Sequence, residues 1–282
     1  MLSVNKVSKT IGHFALTDIS FHLPKGYIMG LIGPNGAGKT SLMHMILGLT
    51  RPDSGEILID GKSYLSYEKA IKDEMGYVLV ERMFEHSISL QKIATYYGQF
   101  YTRYSEVDFK QYAEDFELDL KKKGKHLSKG EKMKFQCAFA LAHHPKLLIL
   151  DEPTANFDPE FRKKFLSLMS QFVADGEHSI LISTHLTKEL DRLADYVTLI
   201  DKGQMIFSED KEKLLMAYRL VSAEDYKINL LRKDRMVYKE VGTYGSRALM
   251  RGDRYEAYDK AFSLEVPTLE DIMYFTVKGR QK

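Results

Sequence analysis

The sequence predicts an α/β fold with a parallel β-sheet at its core. Three strongly apolar runs, within residues 27–32, 146–151 and 179–183, have the composition of strands buried on both faces of a sheet. A fourth run, residues 196–200, has the same character. Segments with helical patterning separate these runs, and parallel strands need such crossover connections. We therefore expect the middle of the chain to form a parallel sheet covered by helices.

The first sixty or so residues predict short strands joined by turns. Residues 2–7 and 17–23 alternate between apolar and polar side chains, which is typical of strands with one buried face. Residues 39–47 have helical character and stop at Gly48. Residues 56–61 predict another strand that ends at an Asp-Gly turn. Together these patterns indicate a region of short strands and turns that precedes most of the parallel sheet.

The segment from about 88 to 143 predicts a helical subdomain. Residues 90–120 have helical patterning and many aromatic side chains, namely Tyr96, Tyr97, Phe100, Tyr101, Tyr104, Phe109, Tyr112 and Phe116. Two interpretations of this aromatic row stay open. The row packs the core of the subdomain, or part of it forms a groove that receives a helix from a partner protein.

A C-terminal extension, residues 210–282, follows the predicted core of residues 1–209. The extension has apolar helical patterning, and the run Thr268-Leu269-Glu270-Asp271 is a capping-box type of helix start. Every candidate site residue lies before the extension. We therefore predict that residues 210–282 regulate or stabilise a dimer, and that a chain ending near Lys211 stays soluble and binds nucleotide.

Composition excludes several classes of protein. The chain has 282 residues with 41 Lys and Arg against 39 Asp and Glu, and this near balance argues against a main role in coating nucleic acid. Hydrophobic residues are 44% and charged residues 28% of the chain, as in ordinary globular proteins. Cys137 is the one cysteine, and no apolar run approaches the length of a membrane span. These features predict a soluble, cytoplasmic protein.

A phosphate-binding loop is the clearest motif in the sequence. It matches G-x-x-x-x-G-K-[ST] in full, between a predicted buried strand and a predicted helix, with the residues Gly33, Pro34, Asn35, Gly36, Ala37, Gly38, Lys39 and Thr40, followed by Ser41. The glycines let backbone N–H groups surround the phosphates of a nucleotide, and the start of the helix adds positive potential. We predict that Lys39 bridges the β- and γ-phosphates and that the Thr40 hydroxyl ligates Mg²⁺.

Two carboxylates follow the apolar run of residues 147–150. Side chains at the carboxyl end of a strand in such a sheet lie beside the phosphate loop. Asp151 is therefore a candidate Mg²⁺ ligand, and Glu152 is a candidate general base that polarises the water attacking the γ-phosphate. An ordinary Asp-Glu turn before Pro153 is the alternative interpretation.

Further motifs carry a family resemblance. Residues 127–131, Leu-Ser-Lys-Gly-Glu, resemble the LSGGQ signature of ATP-binding cassette (ABC) transporter ATPases. Residues 151–158 resemble the Walker B strand end and D-loop of that family, with Asp158 at the D-loop aspartate, and His185 matches its switch histidine. The resemblance covers roughly residues 2–208. It identifies the fold as a P-loop NTPase of ABC type, with a parallel-sheet core, an antiparallel β subdomain, a helical subdomain and a small C-terminal extension.

The resemblance implies an ATPase that uses ATP and Mg²⁺ and works as a head-to-tail dimer. In that arrangement Ser128, Gly130 and Asp158 act in trans on the nucleotide of the other subunit, and His185 contacts the γ-phosphate in cis. The chain departs from the family pattern at Lys129 and Glu131 in the signature segment and lacks the usual glutamine near Glu81. Whether Glu81 replaces that metal contact stays open.

Transport is the function that the resemblance favours. A chain with one cassette and no spanning segment would need separate polytopic membrane subunits and a second cassette, in a homo- or heterodimer, and the aromatic row would then receive a short cytoplasmic helix of such a subunit. The chain would be cytoplasmic and peripheral on the inner face of the cell membrane, with no nucleic acid partner. Three segments resemble a bacterial subfamily of drug, bacteriocin and cytolytic-peptide exporters with separate membrane subunits, namely residues 100–101 with Tyr104, residues 131–134 and residues 267–273. This resemblance favours export of a peptide, antimicrobial or drug-like amphiphile. A soluble ABC-type ATPase that acts on a macromolecular partner without a membrane subunit is the alternative.

Overall fold

The computed structural model describes residues 1–79, 87–243, 245–252 and 262–280. Its strands form a ten-stranded mixed sheet and a four-stranded antiparallel sheet. The strands of the large sheet are β1 (Leu2–Ile11), β2 (Phe14–Leu23), β3 (Ile28–Ile32), β4 (Ser54–Ile59), β5 (Lys62–Ser63), β6 (Met75–Val78), β7 (Leu147–Asp151), β8 (Ser179–Ser183), β9 (Tyr196–Asp201) and β10 (Gln204–Asp210). The small sheet contains β11 (Tyr218–Ala223), β12 (Met236–Gly242), β13 (Gly245–Arg251) and β14 (Ser263–Glu265).

Helices cover the sheets and connect their strands. They are α1 (Lys39–Ile46), α2 (Tyr64–Asp73), α3 (Leu90–Gly98), α4 (Glu106–Asp115), α5 (Lys129–Ala142), α6 (Pro159–Phe172), α7 (Thr187–Leu193), α8 (Lys211–Met216), α9 (Asp225–Ile228) and α10 (Leu269–Gly279), with a short 3₁₀ turn at Gly124–His126. The helices α3, α4 and α5 lie in the segment predicted to be a helical subdomain.

The strand order of the large sheet explains how the candidate site is assembled. The order is β5-β4-β1-β2-β10-β9-β3-β8-β7-β6. The strands β9, β3, β8, β7 and β6 pair in parallel, whereas β4, β1 and β2 pair antiparallel. Every residue of β3, β7 and β8 is buried, as their apolar composition predicts. The predicted fold class, a parallel core with an antiparallel β subdomain, is therefore confirmed.

The extension differs from its helical prediction. Thr268 is the N-cap residue of α10 and forms the predicted capping box. The Thr268 side chain accepts from the N–H of Asp271, and the Asp271 side chain accepts from the N–H of Thr268. The extension before α10 contains the four-stranded sheet, which its helical patterning did not predict. Its strands lack a clean alternation: β12 is half-buried at five successive residues, and β14 is exposed throughout. A period of two is the signal by which a strand is found in a sequence, and these strands do not carry it.

The extension also shares a hydrophobic core with the rest of the chain. One continuous cluster contains Leu190 and Leu193 of α7 together with extension residues, which are Leu214, Tyr218, Leu220, Leu249, Leu269, Ile272 and Phe275. All of these side chains are buried. The domain boundary at residue 209 stays a prediction. Because the hydrophobic cluster crosses this boundary, we expect a chain truncated there to lose stability.

A chain that ends at Lys211 is expected to be much less stable than the full chain. Burying one large apolar side chain contributes about 1.5–3 kcal/mol, and several such contributions are comparable to a typical total stability of about 5–15 kcal/mol. Thermal unfolding followed by circular dichroism, with a hydrophobic dye as a second probe, would measure the loss. A chain ending at Arg280 is the control, and equal melting temperatures for the three chains would contradict the prediction.

Candidate functional site

The phosphate loop connects β3 to α1, and close packing fixes two of its glycines, Gly33 and Gly38. Gly33 has a φ of 153°, and a Cβ on it would lie 2.1 Å from the carbonyl oxygen of Ile200. Gly38 has a φ of 108°, and a Cβ there would lie 2.7 Å from Cδ2 of Leu16. Larger residues would clash at both positions and would be strained at these φ values. The glycines are therefore needed for the loop conformation itself.

Lys39 lies inside the loop. Its Nζ donates to the carbonyl oxygens of Gly33 at 2.8 Å and Pro34 at 3.2 Å. Burial lowers the pKa of Lys39, and the negative charges of Glu152 and Asp151 oppose that shift. The ammonium group is thus held at the centre of the loop, where phosphate oxygens could replace the carbonyl acceptors.

Thr40 and Asp151 provide adjacent oxygen atoms at the start of α1. The Thr40 hydroxyl donates to Oδ2 of Asp151 at 3.1 Å. Asp151 is buried, and its Oδ1 accepts a hydrogen bond from the hydroxyl of Ser183 on the neighbouring strand. A hydroxyl and a carboxylate are the hard oxygen ligands that Mg²⁺ prefers. This pair therefore fits the predicted metal site, although the metal role of each residue stays a prediction.

Glu152 and His185 are in direct contact. Oε2 of Glu152 lies 2.7 Å from Nδ1 of His185, and Oε1 accepts from the backbone N–H of His185 at 3.1 Å. Glu152 has a left-handed φ of 48°, and its N–H donates to the carbonyl of Ser183 at 3.0 Å. A left-handed non-glycine residue is costly and persists where the surrounding structure demands it. The turn after β7 therefore directs the Glu152 carboxylate towards the end of β8.

Sheet order brings these groups together. β8 lies between β3 and β7, so the loop after β3, the carboxylates after β7 and the histidine after β8 share one edge of the sheet. The sequence placed them on three separate strands, and the structure joins Thr40 with Asp151 and Glu152 with His185. Chemically, the edge combines an amide-rich loop, an ammonium, a buried carboxylate and a carboxylate–imidazole pair. That combination suits transfer of a phosphoryl group to water.

Ser128 begins α5 and forms a capping box with Glu131. The Ser128 hydroxyl oxygen accepts from the N–H of Glu131 at 3.1 Å, and Oε2 of Glu131 accepts from the N–H of Ser128 at 2.8 Å. Lys122 pairs with Oε1 of Glu131 at 2.7 Å. The Lys122 ammonium and the Ser128 N–H lower the pKa of Glu131. The difference from the family signature at Glu131 thus has a local structural reason, which is the capping of α5. The Ser128 hydroxyl uses its oxygen as an acceptor in this box, so its proton stays available for donation to another acceptor.

Gly130 and Asp158 place the signature segment (residues 127–131) beside the D-loop (residues 155–158) of the same chain. A Cβ on Gly130 would lie 2.7 Å from the carbonyl oxygen of Asn156. Asp158 caps α6 by accepting from the N–H of Phe161 at 2.8 Å, and this bond lowers the pKa of Asp158. Across the described ranges, no hydrogen bond joins Ser128 or Asp158 to residues 33–41. Their roles in trans stay predictions, and Glu81 lies outside the described residues.

Sequence reasoning missed Gln136, which lies on the apolar face of α5. Its buried amide donates to the carbonyl oxygen of Leu79 at 3.0 Å and accepts from the N–H of Leu79 at 3.1 Å. Leu79 directly follows β6, so Gln136 ties the helix that begins at Ser128 to the edge strand of the sheet. The available signal was a single polar residue within the otherwise apolar run of residues 135–142.

Sequence reasoning also missed a polar network next to the D-loop. The Thr154 hydroxyl donates to Oε2 of Glu189 at 2.7 Å, and Nε of Arg162 lies 3.4 Å from Oε1 of Glu189. Burial raises the pKa of Glu189, while the Thr154 bond and the Arg162 charge oppose the shift. Glu189 belongs to α7, so this network connects the helix after His185 to the segment after Glu152. No spacing in the sequence indicates this pairing.

Comparison with known proteins gives a consistent result. A family model described as "ABC transporter" matches residues 16–155. The ABC transporter ATP-binding protein YtrB of Bacillus subtilis (strain 168) is 28% identical over 239 residues, covering 84% of this chain and 82% of that protein. The linearmycin resistance ATP-binding protein LnrL of the same organism is 32% identical over 212 residues, covering 73% of this chain and 68% of that protein. Relatives named for export and relatives named for import both match.

A solved structure described as the ATP-binding subunit of an ABC transporter is similar to this chain. Its TM-score is 0.70 at 25% sequence identity, over 76% of this chain and 91% of that chain. Within the ranges that the structure describes, no helix has both the length and the apolar composition needed to cross a membrane.

Proposed function

Because this chain belongs to the ABC transporter family as an ATP-binding, ATP-hydrolysing subunit, we propose that it powers the export of a peptide, antimicrobial or drug-like amphiphile. Proteins of this family bind ATP with Mg²⁺, form dimers and work with membrane subunits. The export direction is supported by the relative named for linearmycin resistance and by the resemblance of residues 131–134 and 267–273 to exporter ATPases. The partners in this proposal are separate polytopic membrane subunits, with the chain peripheral on the inner face of the membrane.

The proposed hydrolytic step uses the groups at the sheet edge. Backbone N–H groups of the phosphate loop, from residues other than Pro34, surround the phosphates, and Lys39 neutralises charge on the β- and γ-phosphates. Thr40 and Asp151 would hold Mg²⁺, which supplies charge neutralisation on the phosphates when bound. Glu152 accepts a proton from the attacking water, and the O–P bond to the leaving diphosphate breaks as the water oxygen bonds to phosphorus. His185 orients Glu152 through their 2.7 Å contact.

An aromatic groove between α2 and α3 is the observation that best supports a membrane partner. The groove has a volume of about 560 Å³ and is lined by Tyr77, Tyr97, Phe100, Tyr101 and Phe139 with charged residues of α2 at its rim. Phe100 is 63% exposed, which is unusual for so large an apolar side chain. Such a groove suits a short amphipathic helix, and we assign the helix to a membrane subunit.

Most of the groove is preformed. Tyr101 stacks on His143 with ring centroids 4.0 Å apart, and His143 is buried with its ring nitrogens 3.2 Å and 3.1 Å from the carbonyl oxygens of Phe139 and Met75. Burial lowers the pKa of His143 to about 4, so the ring is neutral at physiological pH. Because this packing holds Tyr101 in place before a helix binds, the entropic cost of binding is lowered.

Photo-crosslinking from position 100 tests the proposal. A full chain carrying a photoreactive phenylalanine at this position, expressed in its own bacterium, should crosslink to a polytopic membrane protein. The same probe at Tyr226, which is 62% exposed on the extension, is the control. A crosslink from position 100 to a ribosomal or other soluble macromolecule would support the alternative of an ABC-type ATPase without a membrane subunit.

Phe100→Glu should abolish recovery of the chain with membranes, because a charge would replace an exposed apolar side chain that lines the groove. ATP binding should be unchanged, since Phe100 does not contact the phosphate loop. Sedimentation of the chain with membranes, beside the Tyr226→Glu control, measures the effect. Retention of Phe100→Glu at the level of the unmodified chain would contradict the groove assignment. ATP-dependent uptake of labelled amphiphile into inverted vesicles, and none into right-side-out vesicles, would establish export.

A further inference from the structure

The C-terminal helix α10 is attached to α7, the helix that follows His185. Oδ1 of Asp191 accepts a hydrogen bond from the N–H of Leu269 at 3.1 Å, so a residue of α7 satisfies one of the free N–H groups at the start of α10. The buried side chains of Leu269 and Ile272 pack in the same cluster as Leu190 of α7. The attachment therefore combines a directional bond with apolar contact.

The other end of α10 approaches the phosphate loop. The guanidinium of Arg280 donates to the side-chain oxygen of Gln204, at the start of β10, at 2.8 Å. A cavity of about 420 Å³ is bounded on one side by Pro34 of the phosphate loop and on the other by α10 residues that include Tyr274 and Lys278. Helix α10 thus contacts α7 at its start and lines a cavity together with Pro34 of the phosphate loop.

Helix α7 has little freedom to shift against the sheet. A Cβ on Gly30 of β3 would lie 2.6 Å from Cδ1 of Leu190, so the helix lies directly on the strand. Glu189 is bonded to Thr154 beneath the D-loop. The Lys211 ammonium donates to the carbonyl oxygen of Asp191 at 2.9 Å, which adds a second contact from the start of the extension. His185 lies two residues before the start of α7, so a displacement of α7 would move His185 relative to Glu152.

We propose that the extension is a positioning element for ATP hydrolysis, and that Asp191 is the positioning residue through which α10 holds α7 and His185 in place. This inference rests on the roles proposed above for Glu152 and His185, but not on the export function or the membrane partner. It assigns to residues 210–282 a role inside the subunit. The extension acts on Glu152 and His185 through α7 and not through the phosphate loop. Changes in the extension should therefore affect turnover more than ATP binding.

Turnover and binding of Asp191 variants separate positioning from general stability. In the full chain, Asp191→Ala should lower kcat for Mg-ATP hydrolysis by about 10- to 100-fold, the range seen when a catalytic group is slightly misplaced. The affinity for a fluorescent ATP analogue should stay within about twofold of the unmodified chain, a difference well below one tenfold step in binding. Asp191→Asn keeps an oxygen acceptor for the Leu269 N–H and should restore most of kcat. Arg192→Ala, at the exposed neighbouring position, is the control.

A double-mutant cycle with His185 tests whether Asp191 affects turnover through His185. If Asp191 acts by positioning His185, adding Asp191→Ala to His185→Ala should not lower kcat further. Hydrogen exchange gives an independent readout: amides of residues 185–193 should exchange faster in Asp191→Ala, while those of residues 33–41 should not change.

An unchanged kcat in Asp191→Ala, or multiplicative losses in the double variant, would overturn the inference. A His185→Ala variant with normal turnover would instead overturn the role of His185 in the proposed function. If Asp191→Ala lowers the melting temperature and ATP affinity together, with faster exchange at residues 33–41, the contact is structural and the inference fails.

Discussion

Glu152→Gln is expected to slow ATP hydrolysis by about 10²–10⁴-fold while leaving ATP binding intact, because an amide cannot accept the proton of the attacking water. This range corresponds to about 2.7–5.4 kcal/mol of transition-state stabilisation. The amide oxygen can still accept from the backbone N–H of His185, a bond that the carboxylate makes at 3.1 Å. The substitution should therefore remove the base without removing the local geometry.

Single-turnover hydrolysis and ATP-analogue titration on the same protein samples would measure the two effects separately. Glu160→Gln, in the first turn of α6, makes the same chemical change outside the site and is the matched control. Turnover of Glu152→Gln within a few-fold of the unmodified chain would exclude Glu152 as the general base. His185→Ala should also lose turnover, since it removes the partner that orients the carboxylate.

The phosphate loop and the two carboxylates could be predicted because their information is local. A glycine-rich run after a buried strand has few structural alternatives, and side chains that end parallel strands must meet at one edge of the sheet. The family resemblance implied only that His185 contacts the γ-phosphate, and the contact between His185 and Glu152 was not predicted. The left-handed turn that directs Glu152 towards β8 is visible only in the folded chain.

Glu131 shows that a local signal can be present and still be assigned to the wrong cause. Compared with the family signature it is a departure, yet Ser128-x-x-Glu131 is also a capping-box sequence of the same kind as Thr268-x-x-Asp271. The structure forms both boxes. The sequence alone was therefore sufficient to predict where the Glu131 carboxylate lies, because capping depends on residues three apart in one helix turn.

Contacts between distant segments had no comparable signal. Gln136 meets Leu79, Glu189 meets Thr154, and Asp191 meets Leu269 only because the fold brings separate elements together. Each of these bonds uses a polar side chain whose type fits many surroundings. The strands of the extension were missed for a related reason, since they bury residues without a period of two.

We expect that two chains close around ATP through their signature segments, and that this closure drives the membrane subunits. Ser128 offers a hydroxyl proton, and the start of α5 offers N–H groups and a positive dipole, all suited to a γ-phosphate. No hydrogen bond connects Ser128 to residues 33–41 of its own chain, within the described ranges. A second chain that presents Ser128 to the loop would make the contact only while ATP is present, so hydrolysis would release it.

The oligomeric state of Glu152→Gln, measured by light scattering, tests this closure. With Mg-ATP the variant should be a dimer, and without nucleotide it should be a monomer.

Adding Ser128→Arg to this variant should abolish the dimer while the monomer still binds ATP. That change also removes a helix cap worth about 1 kcal/mol. Ser128→Asp separates the two effects, since Asp caps a helix as well as Ser does and places a negative charge against the γ-phosphate. Ser128→Asn keeps the cap without the charge and should dimerise far better than Ser128→Asp. A monomer that persists with Mg-ATP in Glu152→Gln, even when the membrane subunits are present, would contradict the closure mechanism, and equal dimerisation of the Asp and Asn variants would place Ser128 away from the phosphate.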